Sequence, residues 1–232
     1  MTPRTKREYL RELVADKSQW TRPLTDKERS QGFLGWHERG FLPHCDYPGL
    51  VQFITTRLAD SLPAARRGEW EHLLAIGDNR ERRAELEEYL DRGGGECRLR
   101  EARVAKLCEE ALLHFHNDRY ELLAWCVMPN HVHVLVHVWD LPVWKMIASW
   151  KRFSAARING TAPNRSSAPQ KSFWEREYWD TFMRSEEQEK KAVQYIEANP
   201  VKAKLCQTAE EWPFSSARHR DKYRKLVLPA KP

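Results

Sequence analysis

The stretch HVHVLVHV, residues 131–138, alternates valine with histidine or leucine without a break. Strict alternation marks a β-strand, because successive side chains of a strand point to opposite faces. Val132, Val134, Val136 and Val138 therefore share the face that addresses a core, and His131, His133, Leu135 and His137 share the outward face. Met128-Pro129-Asn130 supplies turn chemistry just ahead, and Tyr120 to Val127 (YELLAWCV) is a second apolar run, so the two runs form a hairpin.

Working outward, VQFITTRL at 51–58 is short and rich in β-branched residues, and Phe173 to Met183 reads as a further strand. Ala64 to Leu90 is charged, helix-favouring sequence with Trp70, Leu73, Leu74, Leu86 and Leu90 as its apolar positions, ended by Gly93 to Gly95. Arg98 to Phe115 carries Val104, Leu107, Ala111 and Leu112 at helical spacing, Trp144 to Ile158 is a basic helix, and Asn159 to Lys171 is a loop by composition. Ser185-Glu186-Glu187-Gln188 has the form of a capping box, which predicts a helix from there to about Ala198, since Pro200 biases Asn199 away from helical geometry. The order strand, helix, strand, strand, helix, strand predicts an α+β fold: a ferredoxin-like βαββαβ antiparallel sheet with helices on one face, the other face open for a site, and an added C-terminal helix. This domain spans 48–216. It follows an irregular N-terminal arm, 1–47, with a short helix over Arg4 to Ala15, and precedes a basic tail, 217–232.

With 41% hydrophobic residues in 232, the chain supports one good core. No apolar run approaches the roughly 18 residues of a membrane span, and Met1 to Trp20 lacks the apolar centre of a signal peptide, which predicts a soluble cytoplasmic protein with no membrane partner. The 5 cysteines are scattered and form no C-x-x-C pair, so they read as reduced thiols. A net charge of +6 favours a polyanionic partner, and 10 tryptophans among lysines and arginines suit single-stranded nucleic acid.

Residues i and i+2 of a strand lie roughly 6 to 7 Å apart on one face, a span that two imidazoles close onto one ion at about 2 Å from each nitrogen. His131 and His133 are so placed, whereas His137 is too far along to join them. His114 and His116 have the same spacing but end a helical stretch, where a two-residue step turns about 200° and separates them. His37 and His44, in a loop, carry little weight as a second metal site. Taken alone, the strand pair is equally compatible with a metal site and with satisfied surface histidines. In YIEANPVKAKL, 195–205, Tyr195 and Asn199 are spaced i, i+4 and share a helix face. Asn199 offers a hard oxygen suited to Mg²⁺ or Mn²⁺ and Tyr195 a phenol.

MPNHVHVLV followed by YIEANPVKAKL resembles the REP-associated tyrosine transposases, members of the single-tyrosine HUH (His, hydrophobic, His) nuclease superfamily. The resemblance extends through VQFITTRLADSL, GGGECRL, RYELLAWCVMPNHVH, SWKRFSAARIN and FWEREYWDTFMRS. It implies an enzyme: a metal-dependent single-strand DNA endonuclease and strand transferase, in which His131, His133 and Asn199 hold Mg²⁺ or Mn²⁺. Tyr195 is then the nucleophile that forms a 5′-phosphotyrosine link. The implied partner is single-stranded DNA with hairpin or palindromic repeats, met in the bacterial cytoplasm, on the nucleoid; a monomer is the favoured state and a dimer the alternative. Lys145, Lys151, Arg152 and Arg157 of the basic helix, with Lys191 and Lys202 near the tyrosine, are candidates for phosphate contacts, and Trp36 and Arg39 of the arm for reading DNA.

Two other readings compete. A non-catalytic DNA-binding protein occupying palindromic repeats would be free to lose Tyr195, which is present. A zinc hydrolase lacks an H-E-x-x-H helix and a third His or carboxylate ligand, and leaves Tyr195 and Asn199 unexplained.

Overall fold

In the computed structural model, which describes residues 22–38, 43–62, 79–160 and 172–228, the elements run α1 (Asp26–Gln31), β1 (Gly35–Glu38), β2 (Pro43–Asp46), β3 (Val51–Leu58), α2 (Asn79–Asp91), α3 (Ala102–Leu113), β4 (Tyr120–Val127), β5 (His131–Val138), α4 (Val143–Gly160), β6 (Trp174–Phe182) and α5 (Glu186–Lys202). The helix expected over Arg4 to Ala15, and Trp70, Leu73 and Leu74 of the next expected helix, lie outside the described residues. Strands β3 to β6 form one sheet in the order β4-β5-β3-β6, with every neighbouring pair antiparallel. With α2 and α3 between β3 and β4 and α4 between β5 and β6, this is the expected ferredoxin-like arrangement. The stretch expected to be irregular contains a separate hairpin, β1 paired with β2 from Gly35↔Asp46 to Glu38↔Pro43. Four-residue strands show too few alternations for their period to be legible in sequence.

The valine face builds the main core. Val132, Val134, Val136 and Val138, with Ile54, Leu122 and Trp125, pack against Val104, Cys108 and Leu112 of α3 and Met146, Ile147 and Trp150 of α4. Each such side chain contributes about 1.5–3 kcal/mol on burial. The polar ends of the buried aromatics are satisfied: Trp125 Nε1 donates to Glu109 at 2.9 Å, Trp150 Nε1 to the Tyr120 hydroxyl at 2.8 Å, and that hydroxyl to the Leu112 carbonyl at 2.7 Å.

The opposite face is covered too, which corrects the expectation of helices on one face only. Helix α5 lays Ile196 and Tyr195 onto Phe53, Ala124, Cys126 and Leu135, and α2 sets Leu86 and Tyr89 against Leu62 and Trp179. All 8 residues of β5 are consequently buried. Helix α5 also continues through Pro200 to Lys202. The helix end is closed by Ala203 N and Leu205 N, which donate at 2.9 Å to the carbonyls of Asn199 and Pro200. At its start, Ser185 Oγ accepts from Gln188 N at 3.3 Å, but Gln188 Oε1 reaches Arg184 N at 2.9 Å instead of Ser185 N, so the capping box closes one residue early.

The C-terminal segment runs along the outer edge of β4. Val127 N donates to the Phe214 carbonyl at 2.9 Å, and Cys126 bridges to Ser215. From there Glu197 of α5, buried, accepts from Ser216 Oγ at 2.7 Å, Arg220 Nε at 2.7 Å and an Arg224 guanidinium nitrogen at 3.2 Å. Arg220 also donates to the Leu123 carbonyl at 2.6 Å, where the β4–β5 register shifts. The stretch read as a basic tail is thus tied, through Arg220 and Arg224, to both the sheet edge and the tyrosine helix.

Candidate active site

Strand β5 presents His131 and His133 on the α5 side of the sheet, both fully buried, with their Nε2 atoms 3.0 Å apart. The far nitrogen of each ring is fixed. Asn130 Oδ1 lies 2.7 Å from His131 Nδ1, and Thr55 Oγ1 lies 2.9 Å from His133 Nδ1. Asn130 is itself oriented, because its Nδ2 donates to the carbonyls of Leu90 at 3.1 Å and Gly94 at 3.2 Å. Its oxygen therefore accepts, His131 carries its proton on Nδ1, and Nε2 keeps a lone pair. Burial pushes the His131 pKa down to about 3, so the ring is neutral, the form that ligates metals.

Helix α5 closes over this pair. The Tyr195 ring packs on His133 and Phe53, with centroids 5.7 Å and 6.0 Å away. One turn on, Asn199 is 1% exposed, and neither its Oδ1 nor its Nδ2 has a hydrogen-bond partner among the described residues. A buried amide left unsatisfied costs about 1–3 kcal/mol, and a ligand to its oxygen would remove the oxygen's share of that penalty. Two nitrogens at right angles and about 2.1 Å from one ion stand about 3 Å apart, which is the separation of the two Nε2 atoms. A donor set of two imidazoles and one amide oxygen suits an octahedral divalent cation with positions left for water or substrate. Among the described residues no cluster of three or more His, Cys, Asp or Glu side chains is placed to hold a metal.

The other histidines separate as their local structure requires. His137 is buried at the far end of β5 with Nδ1 3.6 Å from a Glu121 carboxylate oxygen. His114 stacks on Phe153 while His116 Nδ1 accepts from Leu122 N at 3.0 Å, so that pair does not converge. His44 is bonded to Asp180 and stacks on His37 at 5.3 Å.

The candidate phosphate contacts divide between two faces. Helix α4 packs on the valine face, so Lys145, Lys151, Arg152 and Arg157 lie across the sheet from the histidines. Lys145 Nζ donates to the Gln31 carbonyl at 2.6 Å, and Lys151 Nζ to the carbonyls of Glu175, Arg176 and Glu177 at 2.7, 3.2 and 3.3 Å. Both ammonium groups hold the fold together. Arg152 is exposed, and Arg157, also exposed, lies over the Phe153 ring at 5.3 Å. Trp36 is 48% exposed on the β1–β2 hairpin, edge-on to Phe182. Arg39 lies outside the described residues. On the tyrosine helix, Lys191 pairs with Glu187 at 2.7 Å and Lys202 with Asp91 at 3.1 Å.

Sequence reading passed over Thr55 and Asn130, the residues that orient the imidazoles. Thr55 registers directly opposite His133 in the β3–β5 pairing, a relation that appears only once the strands are aligned. Asn130 looked like turn chemistry alone. The glycine run matters here as well. Gly95 has φ +85°, and a Cβ there would come within 2.6 Å of the Asp60 carbonyl, so only glycine lets this loop close on the end of β3.

The chain is similar to several known proteins. Residues 99–199 match the family model described as Transposase IS200 like. The REP-associated tyrosine transposase of Escherichia coli (strain K12) is 29% identical over 130 residues, 52% of this chain and 68% of that protein. A relative from Haemophilus influenzae is 25% identical over 108 residues, 44% of this chain and 61% of its own length. A solved structure, a REP-associated tyrosine transposase bound to a REP hairpin, aligns over 85% of this chain and 93% of its own, with 17% identity and a TM-score of 0.49.

Proposed function

Because the chain is a relative of the REP-associated tyrosine transposases, we propose that it is a DNA nicking and rejoining enzyme that cuts single-stranded DNA beside hairpin or palindromic repeats through Tyr195. The observation that carries this reading is the packing of the Tyr195 ring 5.7 Å from His133, with Asn199 one turn further along the same helix and its buried amide unsatisfied.

The Tyr195 oxygen forms a bond to phosphorus as the bond from phosphorus to the 3′ oxygen breaks. The products are a 5′-phosphotyrosine link and a 3′-hydroxyl, the phenol giving up one proton and the leaving oxygen taking one up. Exchanging one phosphoester for another conserves the bond, so the strand rejoins without ATP, and the covalent stage splits the transfer into two easier steps. His131, His133 and Asn199 would hold Mg²⁺ or Mn²⁺, which supplies polarisation of the phosphoryl oxygen and stabilisation of transition-state charge. Asn130 and Thr55 fix the ring orientations, and the apolar packing of Phe53 against His133 and Tyr195 holds the nucleophile over the pair. We place it on the nucleoid in the bacterial cytoplasm, with a monomer as the favoured state and a dimer as the alternative. Among the described residues no helix is long and apolar enough to cross a membrane.

Incubation with single-stranded hairpin oligonucleotides and Mg²⁺ or Mn²⁺ should give a protein–DNA adduct that survives denaturation, absent without metal and absent in Tyr195→Phe. Tight hairpin binding with no adduct under either metal would identify a non-catalytic binder instead.

A further inference from the structure

Tyr195, Asn199 and Lys202 are spaced i, i+4, i+7 on α5 and so share one helix face. The Lys202 ammonium lies 5.8 Å from the Tyr195 ring centroid and donates to Asp91 Oδ2 at 3.1 Å. The partners of this bond differ. The Lys202 side chain is 57% exposed, whereas that of Asp91 is 12% exposed. The second oxygen of Asp91, Oδ1, is buried and has no hydrogen-bond partner among the described residues. Burial accordingly raises the Asp91 pKa, against the opposing pull of Lys202. Asp91 ends α2 beside the histidines, because the preceding Leu90 carbonyl accepts from Asn130, whose oxygen holds His131.

As a stabilising device this pair is poor. A bond to a half-exposed lysine contributes little, and a buried carboxylate oxygen left without a donor is destabilising. As a resting state it makes sense, since a solvent-reaching ammonium over the tyrosine ring is held in place by an anion that a second anion can replace.

We propose that Lys202 is the phosphate-holding cation of this site, and that Asp91 is its counter-ion in the DNA-free state, exchanged for one phosphodiester of a bound single strand. The inference rests on the reading of Tyr195 as nucleophile, because that reading brings a phosphodiester to this face. The exchange forms and breaks no covalent bond. One anion replaces another on the same ammonium, and Asp91 sets a threshold that the incoming phosphate must exceed.

The test is the affinity of a fluorescent single-stranded oligonucleotide over a series of salt concentrations, in a Tyr195→Phe background where no covalent step contributes. Asp91→Asn removes the competing anion and should bind several-fold tighter. Lys202→Gln should bind several-fold more weakly, with the slope of log K against log salt smaller by about 0.7, the share of one phosphate contact on a single strand. Lys202→Arg should keep parental affinity. A structural salt bridge predicts the opposite for Asp91→Asn, so binding no tighter than the parent overturns the proposal, as does an unchanged slope in Lys202→Gln. Lys202 is exposed, so its Gln and Arg variants decide the matter even if Asp91→Asn fails to fold. Adduct formation by the unmodified protein is scored separately: its absence alongside this binding pattern would count against the nucleophile and leave the anion exchange standing.

Discussion

A histidine serves as a metal ligand only when its ring is neutral and cannot turn, and the chain secures both for His131 by burying it against Asn130. The ring of His133 is held in the same way by Thr55. Outer partners of this kind typically change metal affinity by about 10–100-fold when removed. Asn130→Ala and Thr55→Val are therefore expected to weaken Mn²⁺ binding by that order in a direct titration, while Tyr195→Phe leaves it unchanged. The alternation of 131–138 made the shared face of the pair legible, and the i, i+4 spacing did the same for Tyr195 and Asn199. Thr55 was not legible, since its relation to His133 depends on strand register, which sequence periodicity does not specify.

Helix α5 carries the proposed nucleophile on one side and its anchor on the other. Tyr195 and Asn199 face the sheet, while Glu197 between them is gripped by Ser216, Arg220 and Arg224. Removing one member of a buried ion pair costs about 3–5 kcal/mol. Glu197→Ala and Arg220→Ala should each lose stability of that size, read as a lower urea midpoint. The helix itself was readable from its capping residues and acids, but its end was not. Pro200 argues for a stop one turn early, whereas the helix runs on to Lys202 with Asn199 and Pro200 buried. The anchor escaped sequence reading because it joins positions in α5 to residues of a segment that looked like a charged tail.

Across the whole molecule, the sheet separates two surfaces of different purpose. The valine face with α3 and α4 is the larger core, and the histidine face under α2 and α5 is the one proposed to carry the chemistry. The order of elements made the four-stranded sheet legible; what it hid was that both faces are covered, because α2 folds back onto the histidine side. The basic character of α4 consequently lies across the sheet from Tyr195. A single strand just long enough to cover the tyrosine face should bind the double variant Arg152→Glu, Arg157→Glu with parental affinity in a fluorescence anisotropy titration. A loss of binding there would show that even a short strand reaches both faces.

The measurement that tests the central claim most directly is peptide mapping of the covalent adduct: protease digestion after reaction with a single-stranded hairpin oligonucleotide, then mass spectrometry of the nucleotide-bearing peptide. The account predicts one modified peptide, carrying a 5′-linked nucleotide on Tyr195. A nucleotide on any other residue, or a cleaved strand with no peptide attached, would contradict it.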